Sequence, residues 1–302
     1  MTKLSVLIAH INEPQSLFFT AMGLTQELHR LNIDHEIIIS DNGSEEVSLK
    51  FMKTWETLDG YYDHIKSPIT FTSCDKRGTI PNWQHCASLA TGDVLMFCDQ
   101  HILVAYDFFE KQLALLTEEN PVLYAACSFW DWVYYGSRPI YHYSFAPDDL
   151  KNFFVYDIEE KEPYPILTSQ FGAVLVKKSH YDQIGGLGRC FDEVGGYTAE
   201  ETMLPVKTRM FGKVPLFNPN TCYIHAPLPY RNTAGNNRNR PESLCVAAYA
   251  LGGESPFKLA CEKWNIHPDR IDHLRNEAQP ERDFLEKNAV KSYAQVLGEW
   301  HG

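Results

Sequence analysis

The sequence predicts an α/β fold, in which a mostly parallel sheet is flanked by helices and followed by a C-terminal helical extension. Three observations predict it. In the first hundred residues, short apolar runs alternate with amphipathic segments, which is the pattern of β-α-β units. The apolar runs hold five or six residues rich in Val, Ile, Leu and Phe, as strands buried on both faces do. From residue 241 onwards, segments begin with a proline near their first helical position.

The predicted elements follow one another in a regular order. Strands are expected at 4–9, 36–40, 69–73 and 94–98, with helices at 14–31 and 81–90 between them. A later strand is expected at 171–177, a helix at 199–211 and a last strand at 215–224.

Two segments depart from this alternation. Residues 129–156 are dense in aromatic side chains and interrupted by Gly and Pro, so they are too irregular for one helix and are predicted to be an insertion or loop. Residues 229–240 are polar and basic, which predicts a mobile loop. In the extension, helices are expected to start at Pro256, Pro268 and Pro280.

Composition excludes several classes of protein. With 44% hydrophobic and 22% charged residues the chain is neither disordered nor fibrous. The net charge of −12 argues against broad electrostatic binding to nucleic acid or an anionic membrane, although a local basic groove stays open. The eight cysteines form no C-x-x-C pair and are expected to be reduced, buried thiols. Neither a signal peptide nor a membrane span is recognisable, so we expect a soluble, cytoplasmic protein without a membrane partner.

Polar clusters follow three of the predicted strands, at 10–13, 41–44 and 99–101. Ligands of open α/β sheets bind at the carboxyl ends of the strands. We therefore expect these three clusters to border one crevice.

Four stretches of the chain resemble, in order, the motifs of nucleotide-sugar-dependent glycosyltransferases of the GT-A fold, most closely family 2. They read SVLIAHINE, EIIISDNGSEE, RGTIPNWQHCASLATGDVLMFCDQH and GGLGRCFDEVGGYTAEETMLPVKTRMFG, and the match covers about residues 3–228. The resemblance implies a Rossmann-like domain over 1–228 that binds a nucleotide sugar and catalyses transfer. A lid loop and the helical extension would then make up 229–302.

The resemblance also implies the donor site. It places Asp41 at the nucleobase, although Asp41 can equally start an Asx-turn with the next two residues, and both can hold together. A carboxylate accepts a hydrogen bond from uracil N3–H, so a UDP-sugar is the first donor expected. The residues implied at the donor are Ala9, His10, Asn12, Glu13, Asp41, Arg77, Asn82 and Asp99. Arg77 can instead belong to a solvated basic pair with Lys76.

A metal site is implied by the segment Asp99-Gln100-His101, in which histidine stands where most of family 2 has a second aspartate. This D-x-H pattern is similar to that of the polypeptide GalNAc-transferases, where a later histidine completes the set, and His225 sits where that histidine is expected. The implied ligands are Asp99, His101 and His225, and the implied ion is Mn²⁺ or Mg²⁺. Taken singly, each can also be a turn aspartate or a core-edge histidine.

The general base is implied by Glu200-Glu201, which replaces the Glu-Asp of the family. Glu201 is the candidate base and Glu200 the second candidate; the alternative is that both acids only favour a helix N-terminus. Arg231, Arg238 and Arg240 are expected to form a lid over the diphosphate. Aromatic residues within 130–143 can stack on an acceptor sugar or pack in the core.

The leading prediction is thus a metal-dependent glycosyltransferase that acts on an acceptor hydroxyl of a glycan or of a modified nucleobase, the latter as in phage DNA. A non-catalytic nucleotide- or sugar-binding domain of the same fold is the runner-up. A nucleotidyltransferase is disfavoured, because HINEPQSLFF lacks the Gly-rich basic phosphate loop after the first strand. The stereochemistry stays open: family 2 suggests inversion, whereas the D-x-H pattern is similar to that of a retaining family.

Overall fold

The strands of the protein join in one sheet. The structure, a computed structural model, describes residues 2–58, 68–129, 141–146, 151–156, 161–226 and 240–301. Within these ranges eleven strands form a single sheet. They are β1 (Leu4–His10), β2 (His35–Asp41), β3 (Ile69–Ser73), β4 (Val94–Cys98), β5 (Ile102–Val104), β6 (Val122–Phe129), β7 (Tyr141–Ala146), β8 (Lys151–Tyr156), β9 (Tyr164–Pro165), β10 (Ala173–Lys177) and β11 (Leu216–His225).

Helices flank this sheet and follow it. The helices within the described ranges are α1 (Pro14–Arg30), α2 (Glu46–Leu58), α3 (Thr79–Leu89), α4 (Phe108–Leu113), α5 (Lys178–Gln183), α6 (Glu200–Met210), α7 (Arg240–Gly252), α8 (Glu254–Lys263), α9 (Pro268–Asn288) and α10 (Tyr293–His301). The predicted fold class and the C-terminal helical extension are confirmed.

The order of the main strands is β3-β2-β1-β4-β10-β6-β11-β5. The half built from β1 to β4 is parallel, because a helix crosses over between each pair of consecutive strands. In the other half β6 and β11 are parallel, whereas β10 runs antiparallel to both β4 and β6. The parallel half brings the carboxyl ends of β1, β2 and β4 to one edge.

The segment 129–156, predicted to be an insertion or loop, contains two strands of the sheet. Its described parts, β7 and β8, pair antiparallel with each other, and β7 pairs with β6 at Cys127 and Tyr141. The segment is therefore an insertion that extends the sheet and not a loop throughout. Its aromatic and β-branched residues favour strands, but the Gly and Pro between them concealed the alternation.

The prediction that a helix begins at Pro280 is wrong. This proline lies inside α9, whose 21 residues form one helix. A proline inside a helix removes one backbone hydrogen bond and costs about 3 kcal/mol. The buried Leu274, Ala278 and Leu285 lie on the same helix, and their packing offsets this cost. Tertiary packing thus overrides a local signal that is typical of a helix start.

Two apolar clusters lie on opposite faces of the sheet, and alternate residues of β1 belong to different clusters. Val6 packs with α1 and α2 on one face. Leu7 packs on the other face with α3, α6 and the C-terminal helices. The extension therefore shares a core with the sheet across the predicted boundary at residue 228.

The described helices contain none that combines the length and apolarity needed to cross a bilayer. All eight cysteines are free, and six of them are buried, as the sequence predicted.

Candidate functional site

A cleft opens at the carboxyl ends of β1, β2 and β4, with a volume of about 230 Å³. Its walls come from the residues after these strands, from the start of α6 and from the end of β11. The predicted crevice is confirmed. Of the sequence-predicted site residues, those that line it are Ala9, His10, Asp99, His101, Glu200, Glu201 and His225.

Asp99, His101 and His225 converge in this cleft, each with one ligand atom, and the three atoms lie within 4.8 Å of one another. His101 Nε2 is 3.0 Å from His225 Nε2, and His225 Nε2 is 3.3 Å from Asp99 Oδ2. Two ligands at right angles, each about 2.1 Å from an octahedral ion, lie about 3 Å apart. The spacing and the mixture of imidazole and carboxylate therefore fit a divalent cation such as Mn²⁺.

The backbone brings these ligands together although the two histidines are 124 residues apart. His225 ends β11 and pairs with Ile102 of β5, the strand that directly follows His101. The amide of Ala226 donates to the carbonyl of His101 at 2.8 Å. The ligand set thus depends on the pairing of β11 with β5.

Glu13 supports the ligand set from behind, a role that sequence reasoning missed. Its Oε2 lies 2.9 Å from His101 Nδ1, and both side chains are buried. A carboxylate in this position keeps the proton on Nδ1 and turns the lone pair of Nε2 towards the cleft. Glu13 and His101 are 88 residues apart, so no local spacing could have indicated the pair.

Gln100 is a second residue that sequence reasoning missed. Its Oε1 lies 2.6 Å from His10 Nδ1 and accepts from the amide of Ile11 at 2.9 Å. Its Nε2 donates to the carbonyl of Ile11 at 3.2 Å. Gln100 thereby ties the end of β1 to the segment that bears the candidate metal ligands Asp99 and His101. Burial lowers the pKa of His10, so its ring is neutral at pH 7.

Asp41 forms the Asx-turn that the sequence offered as one alternative, and its contact with a nucleobase stays a prediction. Its Oδ2 accepts from the amides of Gly43 at 3.0 Å and Ser44 at 3.1 Å, which forms an Asx-turn. Its Oδ1 is buried and has no hydrogen-bond partner among the described residues. One oxygen thus shapes the turn and the other is left to accept a ligand donor. Arg77 is exposed beside the turn, where its guanidinium lies next to Gly43.

Asn12 and Asn82 hold the turns around the cleft. The amide of Asn12 donates to Ser44 Oγ at 2.9 Å, and its Oδ1 accepts from the amide of Glu45 at 2.7 Å. Asn82 is fully buried: its Oδ1 accepts from Ser40 Oγ at 2.7 Å, and its Nδ2 donates to Asn42 Oδ1 at 2.8 Å. The hydrogen bonds of both residues link the ends of β1 and β2 with α3, and Asn82 is not part of the cleft wall.

Glu200 and Glu201 occupy the first turn of α6, and both line the cleft. The preceding loop makes a sharp turn: Gly195, Gly196 and Thr198 have positive φ. Burial, with the charge of Glu201 as a second cause, raises the pKa of Glu200 well above its ordinary value. Glu200 Oε2 is buried without a hydrogen-bond partner in the described structure.

The remaining predictions concern the lid and the aromatic residues. Arg240 is exposed and begins α7, so it belongs to a helix of the extension. Arg231 and Arg238 lie outside the described residues, as does most of the aromatic stretch 130–143.

Residues 5–185, more than half of the chain, match the pattern of glycosyl transferase family 2. The chain belongs to glycosyl transferase family 2, and its structure has the GT-A fold. The resemblance inferred from the four motifs is confirmed.

Named relatives are similar to parts of the chain. An uncharacterized glycosyltransferase of Bacillus subtilis, YfnE, is 29% identical over 134 residues, which is 44% of this chain and 31% of that protein. An inactive polypeptide N-acetylgalactosaminyltransferase-like protein 5 of Mus musculus is 25% identical over 65% of this chain and 47% of its own length. The chain thus spans less than half the length of these relatives.

Two solved structures share the fold over 99% of the chain. GalNAc-T7 with UDP, GalNAc and Mn²⁺ is 17% identical with a TM-score of 0.71, and the match covers 56% of it. The mannosyltransferase PcManGT of Pyrobaculum calidifontis with GDP-Man and Mn²⁺ is 14% identical with a TM-score of 0.56, and the match covers 79% of it.

Proposed function

We propose that the protein is a metal-dependent glycosyltransferase that moves a sugar from a nucleotide sugar, UDP-linked, to an acceptor hydroxyl. One observation carries the proposal: Asp99, His101 and His225 converge in a cleft that Glu200 and Glu201 also line. Membership of glycosyl transferase family 2 supports it. So do the ligands named for the two structural neighbours, which are UDP, GalNAc and Mn²⁺ for one and GDP-Man and Mn²⁺ for the other.

Asp99, His101 and His225 hold the metal, and Glu13 orients His101. When bound, the divalent cation supplies Lewis-acid neutralisation of the negative charge that grows on the leaving diphosphate. Asp41 Oδ1 accepts the N3–H of uracil, while Oδ2 keeps the Asx-turn in place. Arg77, exposed beside that turn, faces the donor phosphates or the base.

Glu201 takes the proton of the acceptor hydroxyl in this proposal. Glu200 is less suited, because its burial, with the neighbouring charge of Glu201 as a second cause, raises its pKa and disfavours the ionised form that accepts a proton. Both side chains are oriented by the first turn of α6, whose Glu201 carbonyl accepts from Thr168 Oγ1 at 2.7 Å.

The experiment that tests this proposal measures turnover of the nucleotide-sugar donor. Chelator-treated protein is given a panel of UDP- and GDP-sugars with and without Mn²⁺, and release of the nucleoside diphosphate is measured. We expect Mn²⁺-dependent release with a UDP-sugar in wild type and at least a hundredfold less in Asp99→Ala. Asp182→Ala, which removes a surface carboxylate paired with Lys178, serves as the matched control and should keep wild-type turnover.

The runner-up function is nucleotide or sugar binding without transfer. It is favoured by the mouse relative that is named inactive. Tight binding of UDP with Mn²⁺ by a wild-type protein that neither hydrolyses nor transfers any donor would establish it over the enzyme. The acceptor, a glycan or a modified nucleobase, and the cytoplasmic location stay predictions.

A further inference from the structure

A second group of potential metal ligands lies outside the cleft, between α9 and the loop that leads to α6. It consists of Glu193, His273 and Glu277, whose ligand atoms lie within 4.8 Å of one another. None of the three residues lines the cleft. His273 and Glu277 are four residues apart on α9, which places them on one face of the helix. Glu193 approaches them from the loop.

Glu277 is anchored in a way that leaves one carboxylate oxygen available. Its Oε1 accepts from the amides of Glu193 at 2.8 Å and Val194 at 3.2 Å. Its Oε2 is buried and makes no hydrogen bond, and the side chain as a whole is only 8% exposed, so bulk water does not replace the missing partner. A buried carboxylate oxygen without a partner costs free energy unless a donor or a cation satisfies it.

His273 presents a nitrogen to the same point. Its Nε2 is 2.8 Å from Glu193 Oε2 and 4.0 Å from Glu277 Oε2, yet this buried nitrogen makes no well-aligned hydrogen bond. Ligands of a tetrahedral Zn²⁺ lie about 3.3 Å apart, since each is about 2.0–2.1 Å from the ion. The two observed separations bracket that value, so a small rotation of His273 towards Glu277 and a small movement of exposed Glu193 would bring the three ligand atoms to this spacing.

We propose that Glu193, His273 and Glu277 form a second divalent-cation site, of the type that Zn²⁺ occupies with one imidazole and two carboxylates. The ion would fasten the loop that begins at Glu193 to α9. That loop packs against the start of α3, where the amide of Ile80 donates to the carbonyl of Gly195 at 3.2 Å, and it continues into Glu200. The site therefore joins the helical extension to the segment that positions the candidate base.

The first measurement is zinc binding by the full chain. In an Asp99→Ala/His225→Ala background, which removes the cleft site, chelator-treated protein is titrated with Zn²⁺ alone by calorimetry. We expect one equivalent to bind, and His273→Ala or Glu277→Gln to weaken binding at least tenfold. The matched control is His267→Ala, which removes an exposed histidine beside Asp269 at the start of the same helix. This variant should bind zinc with unchanged affinity.

The second measurement, thermal unfolding with and without Zn²⁺, keeps the proposal testable if Glu277→Gln fails to fold. Zn²⁺ should raise the Tm of the cleft-site variant and leave the Tm unchanged after the further substitution His273→Ala. Equal zinc affinity and equal Tm shifts with and without His273 would overturn the proposal and leave the cluster as an ion pair. These readouts do not involve sugar transfer, so their failure and the failure of the proposed function are separate results.

Discussion

At the scale of single residues, Asp41 holds the Asx-turn through Oδ2, and its buried Oδ1 is the atom that we propose accepts from the base. Asp41→Asn keeps an oxygen for the Asx-turn and removes the charge. We expect UDP affinity to fall by about 1.5–3 kcal/mol, because a hydrogen bond to a charged group is lost, while the Tm changes little. Calorimetry with UDP and Mn²⁺ measures the affinity. Equal affinities for variant and wild type would show that Asp41 does not contact the base.

Glu200 and Glu201 are adjacent carboxyls with different environments. Glu201→Gln should keep donor affinity, because the amide is nearly isosteric, and lose turnover by about 10²- to 10⁴-fold. Glu200→Gln should cost much less, because burial disfavours the ionised form of Glu200 that a general base requires. Steady-state kinetics of the two variants, with UDP binding as the control, make the comparison.

The opposite ranking would assign the base to Glu200. Full activity in both variants would contradict an inverting mechanism with a carboxylate base. A retaining route, in which the departing phosphate takes the acceptor proton, would then be the better account.

At the scale of elements, the starts of α3 and α6 depend on the close contact of two loops. A Cβ on Gly78 would lie 2.2 Å from Gly195 Cα, and Gly78 has a φ of +126°. Gly78→Ala must therefore separate the loops, and we expect the free energy of unfolding to fall by about 2–5 kcal/mol. Turnover should fall as well, since the loop of Gly195 leads to Glu200.

Gly298 provides the matched control for this substitution. It lies exposed in α10, and a Cβ there would meet nothing within 4 Å. Gly298→Ala should gain up to about 1 kcal/mol from helix propensity. Denaturant unfolding of both variants measures the difference, and an unchanged stability for Gly78→Ala would refute the contact.

At the scale of the whole molecule, a buried ion pair links the sheet domain to the extension. Lys207 of α6 lies 2.5 Å from Glu281 of α9, and both side chains are fully buried. Lys207 Nζ also donates to the carbonyl of Gly186 at 2.8 Å, and Glu281 Oε2 accepts from the amide of Arg189 at 2.9 Å. The pair therefore holds α6, the 185–189 turn and α9 together.

Removing both partners should lower the free energy of unfolding by less than the sum of the two single losses. Lys207→Met or Glu281→Leu alone leaves an unpaired buried charge and should cost about 3–5 kcal/mol, whereas the double variant should cost clearly less than the sum. A double-mutant cycle by denaturant unfolding tests this expectation. Additive losses would mean that the pair is not coupled.

Much of this protein follows from local patterns in its sequence. Apolar runs of five or six residues alternating with amphipathic segments predicted β1 to β4 and the parallel half of the sheet. The polar clusters after these strands predicted the cleft, because parallel strands end at one edge. Four motifs in order predicted the family, and with it the grouping of Asp99, His101 and His225.

Other features depended on contacts between residues far apart in the chain, which local periodicity does not contain. Glu13 meets His101 across 88 residues only when β1 and β4 are neighbours. The burial that raises the pKa of Glu200 arises from the packing of α6 in the core. Pro280 lies inside α9 and β7 joins the sheet because packing outweighs the local signals of proline and glycine. The sequence by itself thus determined the order of the elements and the types of ligand, and tertiary packing decided which atoms are left to bind.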